Sequence, residues 1–179
     1  MSPLPVRKLN MNYFELYDIP FALTADSAIV KKKFYELSRK YHPDFFTNDS
    51  ETEQAEALEK SAAVNKAFKI FSDADETVKY FLQLKGLLQE EEKYQLSPDF
   101  LMEMMEINES LMDAKMENNT DQIASVQTQI FNLQSTIYEP VKEIVEHYKA
   151  DTTTEKELLQ VKEYYYRKKY LKRILEGME

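Results

Sequence analysis

AIVKKKFYELSRKYHPD, residues 28–44, is the stretch on which both the fold and the search for a function turn. Val30, Phe34, Leu37 and Tyr41 recur at spacings of three and four, which sets them along one face of a helix. Lys32, Lys33, Arg39 and Lys40 fall largely on the remaining surface, with Lys31 at its edge. The helix must stop after Tyr41: Pro43 lacks an amide hydrogen and clashes with a continuing turn, and His42, preceding proline, is pushed toward extended geometry. Such a corner holds the imidazole of His42 and the carboxylate of Asp44 outward, where each can hydrogen-bond to a partner placed against the cationic face. The plainer reading is that both residues decorate a loop, with Asp44 capping a short turn.

Outward from this stretch the pattern stays helical. Tyr13, Phe14, Leu16 and Ile19 form a short apolar element before it, separated by Pro20 to Ala25, where Thr24 or Asp26 can cap the basic helix. After it, Ser50 with Glu53 makes a capping box for a helix running to about Phe71, with Val64, Ala67, Phe68 and Phe71 on one face. Residues 76–88 read as a further helix with Val78, Phe81, Leu82 and Leu84 facing its neighbours and Gly86 near its end. This order resembles the J-domain of co-chaperones that drive ATP hydrolysis by chaperones of the DnaK class. Asn65, Ala67 and Phe68 match the family's Asn-x-Ala-aromatic stretch, and Ser72-Asp73 sits where it often has Ser-Asp. The resemblance implies that His42, Pro43, Asp44, Lys32, Lys33, Arg39 and Lys40 meet the chaperone.

A second set of helices follows a charge-dense junction at about residues 88–95. Ser97 is a good N-cap, Pro98 suits the first helical position, and Asp99 favours the positive end of the helix that runs to about Glu117. Phe100, Met104, Ile107 and Leu111 share one face, but Leu101, Met105 and Met112 form an adjacent stripe with Met102 further round, more apolar surface than one surface helix needs. Ile123, Val126, Ile130, Leu133 and Ile137 mark the next helix, and Pro140 predicts a kink there or a break before residues 141–148. Thr152 with Glu155, or Thr154 with Glu157, can open the last helix, which carries Leu158, Val161, Tyr164, Leu171 and Leu175 inward. Long helices with short connections bury their stripes as an antiparallel three-helix bundle. Tyr164, Tyr165 and Tyr166 point in three directions, so they form no stacking platform for single-stranded nucleic acid; one core ring and two edges are expected.

Phe100-Leu101-Met102-Glu103, followed by Met105-Glu106 and Glu109, is similar to the start of the C-terminal domain of the HscB family, the J-proteins dedicated to iron-sulfur cluster biogenesis. The resemblance covers nearly the whole chain after its first ten residues. It implies an all-α, L-shaped protein, with residues 1–90 forming a J-domain helical hairpin with flanking residues and a junction helix, and residues 95–179 a scaffold-binding three-helix bundle. It further implies an HscA-like or DnaK-like ATPase chaperone as one partner and the IscU-like iron-sulfur scaffold as the other. Carried over by position, Leu101, Met102 and Met105 supply apolar contacts to the scaffold, Glu106, Glu109 and Asp113 acidic ones, and Tyr170 an aromatic contact. The family usually has phenylalanine where Tyr170 stands; its hydroxyl needs water or a partner. The plain alternative for Leu101, Met102 and Met105 is packing against residues 76–88. A J-domain protein with another client, or a helical adaptor with no chaperone link, are the alternative functions.

Composition narrows the remaining classes. Two histidines about a hundred residues apart and no cysteine supply no local zinc shell, and glycine only at Gly86 and Gly177 supplies no phosphate cradle, so no metal, no cofactor and no intrinsic catalysis are expected. Acidic runs such as Glu90 to Glu92 read as solvated surface. A net charge of −9 opposes general binding to nucleic acid. The first ten residues contain Arg7 and Lys8 but no signal-length apolar run, no stretch suits a membrane span, and the absence of cysteine fits a reducing compartment, so a soluble cytoplasmic protein is expected.

Overall fold

The computed structural model describes residues 11–178, so Arg7 and Lys8 lie outside the described residues. Among the described residues the regular structure is entirely helical. The chain divides into two compact units between Phe81 and Leu82.

In the first unit α1 (Tyr13–Tyr17) leads to a hairpin of α2 (Ser27–Lys40) and α3 (Glu51–Phe71), joined through a 3₁₀ turn at Pro43–Phe46; α4 (Ala74–Leu84) follows, and the division falls within its last turn. Asp26, rather than Thr24, caps α2 by accepting from the Ala28 and Ile29 amides, and Ser50 with Glu53 forms the full capping box of α3. The stripe read from the sequence is the packed one: Val30 is buried, Phe34 stacks on Phe68 at 4.3 Å, and Val64, Ala67 and Phe71 line the facing side of α3. Phe14 and Tyr17 close this core, and the buried Tyr17 hydroxyl donates to the Val64 carbonyl at 2.7 Å, tying α1 to α3. Burial in apolar surroundings pushes the Tyr17 phenol well above its usual range.

The fourth helix is displaced from its expected span of 76–88. It begins at Ala74 because the Asp73 carboxylate accepts from the Asp75 and Glu76 amides, and it ends at Leu84 because Gly86 takes a left-handed φ of 71°. There the Gly86 amide bonds the Gln83 carbonyl and the Leu87 amide the Leu82 carbonyl, the pattern of a glycine-terminated helix.

The second unit packs α5 (Pro98–Met116), α6 (Thr120–Tyr138) and α8 (Glu155–Glu176) into a bundle, with a short α7 (Lys142–Glu146) between the last two. Phe100, Met104, Ile107 and Leu111 from α5 meet Val126, Ile130 and Ile137 from α6 and Leu171 and Ile174 from α8 in one core. Ser97 caps α5 with Pro98 in its first turn, and Thr154 with Glu157, not Thr152 with Glu155, forms the box that opens α8. Pro140 gives a break: α6 stops at Tyr138 and a 3₁₀ turn spans Glu139–Val141 before α7. Tyr165 is the buried ring of its trio, with Tyr164 and Tyr166 half-buried. Glu92 departs from a solvated reading, since its carboxylate takes the ammonium of Lys162, a lysine only 8% exposed on α8, while Tyr94 stacks on Tyr166 at 4.5 Å. The hydrogen bond from Lys162 is the main cause that holds the Glu92 carboxyl below its usual range.

Candidate partner-docking surfaces

The corner at His42 is built as a cap. His42 has extended φ and ψ of −66° and 126°, Pro43 occupies the first position of the 3₁₀ turn, and the His42 Nδ1 accepts from the Asp44 amide at 3.3 Å. The cap therefore comes from His42, where the plainer sequence reading gave that part to Asp44. Both side chains are exposed, 53% for His42 and 83% for Asp44, and the Asp44 carboxylate stands 3.6 Å from Nδ1. With Nδ1 engaged by the Asp44 amide, Nε2 is the ring nitrogen not used by the turn.

Beside this corner α2 presents its cations unequally. Lys32, Arg39 and Lys40 are exposed, as is Lys31. Lys33 is half-buried and its ammonium is held at 2.9 Å by Asp18, the left-handed residue that ends α1. A pair this open contributes little to stability, but it leaves Lys33 with less charge to offer than its neighbours. Tyr35 at 70% exposure and Phe45 at 68% lie on the same hairpin segment, Phe45 edge-on to His42 at 5.9 Å. Sequence reasoning singled out neither; the run Asp44-Phe45-Phe46, with one more aromatic than the core takes up, was the available signal.

The second surface lies on α5. Opposite its packed face, Leu101 is 38% exposed and Met102 and Met105 are each 62% exposed, so these side chains are not taken up by the core. Glu106, Glu109 and Asp113 are exposed along the same helix. Tyr170 is half-buried, edge-on to Phe100 at 6.0 Å and packed against the bundle core, so only part of its ring is open to a partner. Met112 and Met116 are also open, and Met116 had been missed although it repeats the four-residue step from Met112. Among the described residues no cluster of His, Asp or Glu could hold a metal ion, and no helix is long and apolar enough to cross a membrane.

A helical hairpin that ends its basic helix in an exposed His-Pro-Asp corner, followed by a helical bundle, defines a J-domain protein with an added C-terminal domain. A DnaJ domain model matches residues 12–80, and a model for the HSCB C-terminal oligomerisation domain matches residues 96–179. The chain belongs to the HscB family of J-domain co-chaperones. It is 39% identical over 110 residues to the co-chaperone protein HscB of Buchnera aphidicola subsp. Acyrthosiphon pisum, covering 61% of this chain and 63% of that protein. To the HscB homolog of Vibrio cholerae it is 35% identical over 102 residues, 56% of this chain and 60% of the relative. The matched stretch thus spans under two thirds of either relative's length. The crystal structure of human co-chaperone protein HscB superposes with a TM-score of 0.78 at 26% identity, covering 98% of this chain and 84% of the human one.

Proposed function

We propose that this protein stimulates ATP hydrolysis by an HscA-like or DnaK-like chaperone in the cytoplasm and delivers an IscU-like iron-sulfur scaffold to it. We assign the first task to residues 1–90 and the second to residues 95–179. The observation that carries this reading is the coexistence, in one chain of this family, of an exposed His42-Pro43-Asp44 corner beside exposed cations and an exposed apolar face on α5 bordered by acids.

Lys32, Arg39 and Lys40 steer the chain toward an acidic surface of the ATPase, an effect that acts mainly on the rate of encounter. Lys33 joins them once it leaves Asp18. The Asp44 carboxylate and His42 Nε2 then hydrogen-bond to the chaperone in the arrangement competent for hydrolysis, so their binding energy shifts the chaperone's own equilibrium. The chain makes and breaks no covalent bond. On α5, Leu101, Met102 and Met105 provide the apolar contact and Glu106, Glu109 and Asp113 select a basic counterpart, with the Tyr170 ring at the edge. Holding the scaffold on the same chain raises its effective concentration at the chaperone.

The test is steady-state ATP hydrolysis by the cognate chaperone. Asp44→Asn is expected to abolish stimulation while scaffold affinity, measured by calorimetry, stays unchanged. Stimulation that survives the substitution rejects the role given to Asp44.

A further inference from the structure

Leu101, Met105, Met112 and Met116 follow one another on α5 at steps of four, seven and four, and at about 100° per residue they fall within about 60° of arc. They make one straight stripe, about 22 Å long at 1.5 Å per residue. Met105, Met112 and Met116 are 62%, 60% and 74% exposed, and Leu101 38%. Four large exposed apolar side chains in line on one helix edge are the kind of feature that marks an interaction surface. Three of the four are methionines, whose unbranched chains adapt to an uneven partner.

The border of the stripe is lopsided. Glu106, Glu109 and Asp113 stand along one side, all exposed. Lys115, the only cation of α5, lies beyond the other side and donates to the Gly177 carbonyl at 2.6 Å. A basic surface on whatever lies on the stripe would complement these acids. A second copy meeting this one stripe to stripe, with acid against acid, fits poorly.

We propose that the scaffold-binding surface runs the full length of α5, with Met112 and Met116 as contacts beyond Leu101, Met102 and Met105, and that it takes a protein surface with an apolar groove flanked on one side by lysine or arginine. This rests on the reading of α5 as the scaffold's docking helix. The partner reads the stripe over four turns, so its groove must match the helix in length as well as in charge.

Calorimetric titration of the iron-sulfur scaffold protein into the full chain tests it. Met112→Gln with Met116→Gln keeps side-chain length and good helix propensity at two open positions, so helicity by circular dichroism is expected to be unchanged. Scaffold affinity is expected to fall about tenfold. Affinity within about twofold of the parent, while Leu101→Gln with Met105→Gln still weakens binding, overturns the extension and leaves the shorter interface standing. No binding to the parent chain overturns the docking reading itself. A parent dimer in light scattering that the Met112 and Met116 substitutions dissolve assigns the stripe to a second copy and also overturns the proposal.

Discussion

At Asp44 the carboxylate stands open to solvent while the neighbouring imidazole is half engaged in holding the turn. The cap made by one His42 nitrogen and the partner contact proposed for the other can be separated by substitution. Asparagine is among the best capping residues, so His42→Asn is expected to keep thermal stability within about 0.5 kcal/mol while removing the ring nitrogen proposed to meet the chaperone. Stimulated hydrolysis should drop sharply; undiminished stimulation would mean that the ring serves only the turn. The cations divide in a similar way. Lys32→Ala with Arg39→Ala should slow association with the chaperone and flatten its dependence on salt, whereas Lys33→Ala, which removes a charge already partnered by Asp18, should do less. Stopped-flow association at two ionic strengths distinguishes them, and an equal effect of the two changes would contradict the ranking. Sequence alone reached the corner because proline and the residue before it are restricted by local sterics. It did not reach the Lys33–Asp18 pair, since the partner is contributed by the end of another helix.

Tyr17 on α1 spends its hydroxyl on a carbonyl of α3 inside the first core, and Tyr17→Phe keeps the ring while deleting that bond. The Val64 carbonyl retains its own helical partner, so the loss is expected at about 1 kcal/mol in chemical denaturation; no change would show the bond to be replaceable. In the second unit the Glu92–Lys162 pair fastens the segment before α5 to α8. Because the folded Glu92 carboxyl titrates below its unfolded value, its contribution is fully present above the ordinary glutamate range and is lost as pH falls through the folded value. Thermal melts of the parent and Glu92→Gln should differ most near neutrality and converge on acidification, and a difference that grows in acid would reverse the sign. Most of the helices were legible from apolar spacing and caps: Asp26, Ser50, Ser97 and Thr154 act at positions where a polar side chain precedes the periodic run. The errors had local causes, Asp73 opening α4 early and Gly86 closing it early. Lys162 had no such signal, because its partner lies 70 residues away.

For the whole molecule, periodicity divided α5 correctly into a packed face and a surplus one, but it could not say that the surplus face stays uncovered. Burial is a property of the complete fold, and the openness of Met112 and Met116 is read only there. The proposed coupling is likewise a property of the whole chain: one surface speeds the chaperone, the other keeps the scaffold beside it, and the covalent link between them turns two encounters into one. The direct measurement is chaperone ATP hydrolysis titrated with scaffold, in the presence of the parent chain or of Leu101→Gln with Met105→Gln. The two should stimulate equally without scaffold, and the variant should need about tenfold more scaffold to reach the same rate. Identical scaffold dependence for both would contradict the account.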